Sequence, residues 1–62
     1  MRHMQALMDK INLVFNDYTQ ANAIRLINQL DDTRELAIFR ARLRQENKLT
    51  DIIEQAIQEK GV

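Results

Sequence analysis

The side chains best equipped for chemistry are few: Thr19, Thr33 and Thr50, the adjacent acids Asp31 and Asp32, the single histidine His3, and a basic run of Arg34, Arg40, Arg42, Arg44 and Lys48. Serine and cysteine are absent, so neither a hydroxyl–imidazole nor a thiol–imidazole nucleophile can be assembled. Each threonine precedes an apolar stripe, where its hydroxyl serves as an N-cap that accepts a bond from an orphan amide. Asp31 and Asp32 point about 100° apart on a helix and are both solvated in a turn. Carboxylates used for acid–base work need a shared low-dielectric cleft, and a 62-residue chain has little interior from which to build one. The pair therefore reads as a helix-ending turn. One histidine without cysteine offers no metal set, and neither a glycine-rich phosphate loop nor a calcium loop is present. These residues predict a protein that is not an enzyme and that uses no cofactor, metal or small-molecule substrate.

The basic run is the one charge feature. Between residues 33 and 48 five cations face only Glu35 and Glu46, so a helix here could sit against phosphates or an acidic protein. Arg40 and Arg44 share one line at a spacing of four while Arg42 points nearly the other way, so the charges ring the helix more than they stripe it. A solvated face, with arginine stems covering apolar neighbours, accounts for them equally well. Residues 33–46 and 50–60 have helix-turn-helix spacing, yet the second segment carries Asp51, Glu54 and Glu59 against Lys60, and an acidic reading helix is repelled by the DNA backbone.

The elements that would position these groups follow from composition and period. Proline is absent and the one glycine is Gly61, which removes the usual turn chemistry of β folds. Helix formers dominate. Met4, Leu7, Met8, Ile11, Val14, Phe15 and Tyr18 recur at steps of three and four, broken only by Ala6 and Leu13. A second stripe, Ala23, Ile24, Leu26, Ile27 and Leu30, is displaced in phase, and the polar stretch Asn16-Asp17-Tyr18-Thr19 favours a break between the two. Leu36, Phe39 and Leu43 form a third stripe. Leu49, Ile52, Ile53, Ala56 and Ile57 form a fourth, out of phase with the third across Glu46-Asn47-Lys48. The spacing predicts helices near 3–16, 19–31, 33–46 and 50–60, in which the first two or the last two could be single bent elements. The expected architecture is one all-α domain spanning residues 1–62, a small helical bundle or bent helical hairpin of three to four short helices.

Residues 10–17 also alternate at period two, with Ile11, Leu13 and Phe15 on one side. A strand followed by two helices is the ribbon-helix-helix layout, and residues 11–43 resemble RelB-type antitoxins in the Ile-Asn-Leu opening, the acid-rich turn and Thr33 heading a helix. That resemblance implies a dimeric DNA-reading ribbon and a toxin-binding tail. It departs from the pattern at the glycine-free turn of residues 30–33 and at Val14, which would occupy a base-facing slot. Two helical arms meeting at Leu30-Asp31-Asp32 are also similar to Rop, a plasmid RNA-regulating hairpin that dimerises into a four-helix bundle. The stripe phase along each arm departs from what such a bundle needs, and no functional residue carries over.

So short a chain buries only about 60 % of the surface its unfolded form exposes, and without disulfides or a metal, oligomerisation is the remaining support. Homodimerisation, or completion by another protein, is expected. Met4, Met8, Leu13 and Phe15 are the candidate partner-interface residues, and Leu13, Ile38 and Leu49 fall off the main stripes. The function expected from the sequence is a non-enzymatic interaction or regulatory module (adaptor, inhibitor or subunit) acting through an apolar helix face. The alternative is a nucleic-acid-binding regulator or antitoxin-like repressor using Arg34, Arg40, Arg42 and Arg44. Nine basic residues balance nine acidic ones, no apolar run is long enough to span a membrane, and the opening residues do not read as a secretory leader. A cytoplasmic protein is expected.

Overall fold

The computed structural model describes residues 2–61, with side-chain surroundings from residue 5 onward. Among them are four α-helices and no strand: α1 (Arg2–Asn16), α2 (Gln20–Gln29), α3 (Thr33–Gln45) and α4 (Asp51–Glu59). Residues 10–16 are thus helical, which removes the ribbon reading. A strand would place Ile11 and Leu13 on one face, whereas Ile11 is wholly buried and Leu13 is 69 % exposed. Their separation by about 200° on a helix accounts for both values.

The breaks fall where polar side chains satisfy the backbone better than another helical turn. Thr19 is extended and its hydroxyl accepts from the Asn22 amide at 3.0 Å. The Asn22 side chain in turn donates to the Asp17 carbonyl at 3.0 Å, tying the end of α1 to the start of α2. Thr50 caps α4 in the same way through the Ile53 amide at 3.3 Å.

The cap of α3 differs from expectation. Asp32, not Thr33, holds the extended cap position and accepts from the Arg34 amide at 2.7 Å. Thr33 is the first helical residue. A carboxylate caps as well as a hydroxyl and adds charge at the positive end of the helix dipole. Asp32→Ala is therefore expected to cost about 1 kcal/mol, and Thr33→Ala to stay within about 0.5 kcal/mol of wild type, both read by urea unfolding; equal losses would contradict this assignment.

The α3–α4 break uses a left-handed residue. Asn47 has φ 63°, the conformation that Asn tolerates better than other non-glycine residues. It lets the Lys48 amide reach back to the Leu43 carbonyl at 2.7 Å and its own amide reach Arg44 at 3.1 Å, the paired bonds of a Schellman stop.

The four stripes converge on one core: Leu7, Ile11, Ala23, Leu26, Ile27, Leu30, Leu36, Phe39, Leu43, Ile53 and Ile57. Met8, Val14, Phe15, Tyr18, Ile24, Ile38, Leu49 and Ala56 pack around it. No polar or charged side chain is buried among the described residues. The radius of gyration is 10.6 Å, the size expected of a folded globular chain of this length, about 10.6 Å. Within one chain all of these core residues are buried. Four short helices, each out of phase with the last, can turn all their stripes toward one centre, as a pair of long straight arms cannot.

Candidate functional site

Leu13 stands on α1 one residue off the buried stripe. Of the large apolar side chains among the described residues, it and Ile52 on α4 are the two that stay mostly exposed, at 69 % and 56 %. Leu13 is also part of a shape. Together with Lys10 and Val14 of α1, and Asn22, Arg25, Leu26 and Gln29 of α2, it lines an open groove of about 250 Å³ between these helices. The break at residues 17–19 makes the groove, because it folds α2 back beside α1 with the Asn22–Asp17 bond fixing the junction. Val14 and Leu26 supply apolar walls. Lys10 and Arg25 supply positive charge, and Asn22 and Gln29 supply amides. The Arg25 guanidinium donates to Asn22 Oδ1 at 2.8 Å, which holds it along the rim. No carboxylate lines the groove, although Asp17 stands one turn beyond Leu13.

The other candidate interface residues divide. Met8 and Phe15 are half-buried and pack against the core, so they are not free for a partner in the way Leu13 is. Phe15 stacks on Tyr18 with ring centroids 5.3 Å apart and meets the edge of Phe39 at 6.2 Å. The side chain of Met4 lies outside the described residues. Ile38 and Leu49, which fall off the sequence stripes, are also packed against the core. Ile52 is the exposed residue that sequence reasoning missed. Ile52/Ala56 and Ile53/Ile57 are both pairs four apart, so periodicity alone does not say which pair faces inward.

The arginines of α3 serve the fold more than they serve an open surface. Arg40 makes a two-point contact with Glu54 of α4, at 2.8 and 3.0 Å. Arg42 donates to Glu46 at 2.9 Å and to Asn12 of α1 at 3.3 Å, and its guanidinium lies 4.9 Å above the Phe15 ring. Lys48 sits 5.3 Å over Tyr18. Arg34 and Arg44 are exposed and enter no ion pair among the described residues. The four arginines thus do not converge on one face; two brace neighbouring helices and two point to solvent.

The Arg40–Glu54 pair also sets a pH response. The Arg40 hydrogen bonds, then a bond from Gln58, hold the Glu54 carboxyl below the usual glutamate range, against a smaller opposing effect of burial. A carboxyl with a depressed value in the folded state stabilises that state above its unfolded value and loses the contribution as pH falls toward the folded one. The melting temperature is therefore expected to fall as pH drops below the usual glutamate range, and Glu54→Gln should flatten that part of the profile. An unchanged acid limb in Glu54→Gln would contradict the role given to the pair.

Among the described residues, no group of three or more histidines, cysteines or acids comes together to hold a metal, and no helix is long and apolar enough to cross a membrane. No protein-family model, no curated protein and no solved structure matches the chain.

Proposed function

We infer that this chain is a small non-enzymatic interaction module, an adaptor or regulatory subunit that binds protein through the α1–α2 face centred on Leu13. The observation that carries the reading is the contrast on one helix. Leu7 and Ile11 are fully committed to the core, while Leu13 is left 69 % exposed beside a groove with apolar walls and a cationic rim. Apolar surface rimmed by polar groups marks interaction sites where it is contiguous, and here Leu13 continues into the apolar walls that Val14 and Leu26 give the groove. It also suits the size of the domain: a transient contact needs little area, and a few central residues carry most of an interface's energy. The packing of Met8 and Phe15 into the core reduces the surface available from the four residues that the sequence suggested.

The test is site-specific photo-crosslinking in the producing cells. A photoreactive residue at position 13 should give a discrete protein adduct, whereas the same residue at the exposed Ala37 of α3 should give none. No adduct at position 13, or equal adducts at both positions, would overturn the reading.

A further inference from the structure

The second exposed apolar residue, Ile52, complements the first. On α4, Ile52, Gln55 and Glu59 follow one another at steps of three and four and are all exposed, with Asp51 exposed beside them. From residue 51 to 59 this helix carries Asp51, Glu54 and Glu59 and no cation; Glu54 is taken up by Arg40, which leaves Asp51 and Glu59 as the acids exposed beside Ile52. The groove shows the reverse, with Leu13 between Lys10 and Arg25 and no carboxylate in its lining. One surface presents an apolar side chain with acids on either side; the other presents an apolar depression with cations on its rim. We propose that the occupant of the α1–α2 groove is the Ile52 face of α4 from a second copy of this chain, so that copies associate head to tail.

The fold dictates the head-to-tail geometry. Thr50 reaches Gln20 at 3.4 Å, and Lys60 reaches the Asn28 carbonyl and Asp31 at 3.1 and 3.3 Å, so α4 lies along one flank of α2. Asn22, Arg25 and Gln29, which line the groove, sit about 140–200° round α2 from Gln20. Groove and acidic face therefore occupy opposite flanks. A two-fold dimer requires each patch to meet its counterpart across the same interface at once, and patches on opposite flanks cannot do so; pairing them gives a heterologous contact that leaves one groove and one α4 face open at the ends. Leu13 and Ile52 then cover each other, Lys10 and Arg25 approach Asp51 and Glu59, and association weakens with added salt because these charges are exposed.

This proposal rests on the reading of the Leu13 spot as a protein-binding surface, and one set of measurements separates the two. Sedimentation of the wild-type chain up to about 1 mM at low salt is expected to show an average mass that climbs past twice that of the protomer without a plateau at the dimer. Leu13→Gln and Ile52→Gln, both at exposed positions and both folded by circular dichroism, should each weaken association by at least about tenfold. Mixed together, they retain one intact groove and one intact α4 face and should form a one-to-one pair that grows no further. A wild-type chain that stays monomeric, one that stops at a dimer, or a mixture that stays monomeric overturns the proposal. A position-13 adduct with a different protein, found alongside a monomeric purified chain, overturns self-association while leaving the interaction reading intact. No adduct at all, together with a purified chain that stays monomeric, removes both.

Discussion

Phe39→Ala is expected to remove most or all of the folding cooperativity of this domain. Phe39 is fully buried among the side chains of all four helices and meets Phe15 edge-on at 6.2 Å. Truncating a buried phenylalanine costs about 3–5 kcal/mol through lost transfer energy and an uncollapsed cavity. A chain of 62 residues has roughly 3–9 kcal/mol of total stability at typical values per residue. The loss therefore matches much of what holds the fold. Phe15, stacked on Tyr18 and covered by Arg42, would lose the ring that it meets edge-on. Urea unfolding followed by helical circular dichroism is the check. A sigmoidal transition within about 1 kcal/mol of wild type would show that the core does not depend on Phe39.

The second large effect separates two residues only two apart. Ile11→Glu places an unpaired carboxylate in a position with no exposed surface, where no cation or hydrogen-bond donor compensates and the penalty is several kcal/mol. The domain should not fold. Leu13→Glu, at a position 69 % exposed, should leave stability within about 0.5 kcal/mol of wild type. On a strand these residues would share a face and the two variants would behave alike. Thermal melts of both proteins, side by side, read the difference directly; comparable destabilisation would reinstate the strand.

Much of this was legible in the residues. The displaced phases of the stripes 4–18, 23–30, 36–43 and 49–57 announced separate short helices, and Thr19 and Thr50 marked two of their starts. Leu13 stood out because it is the one large apolar residue that breaks the first stripe, which Ala6 alone also interrupts. Three features were harder to read. The cap of α3 was placed one residue late, on Thr33, because Asp32 and Thr33 are both good caps and only the backbone decides between them. Ile38 and Leu49 were expected off the core and Ile52 on it, the reverse of what is found, because which side of a wide stripe faces inward depends on where the neighbouring helices lie. The closing of the core within one chain was missed for a related reason. A judgement that surface would be left over depends on how the stripes meet, and the phase shifts between them are what allow four helices to share one centre. The arginines were read as ringing the helix, but which of them brace neighbouring helices became visible only from Glu54, Asn12 and Phe15, which receive two of them.

The account turns on a single chain that completes its own core and keeps the Leu13 groove for something else. Its most direct test is urea unfolding of the wild-type protein at about 0.1 and 10 µM, because the midpoint of a fold that needs a second chain rises with concentration. Coincident midpoints, with a monomeric mass under native conditions at both concentrations, are predicted. A midpoint that climbs with concentration, together with loss of helix as the protein is diluted, would contradict it.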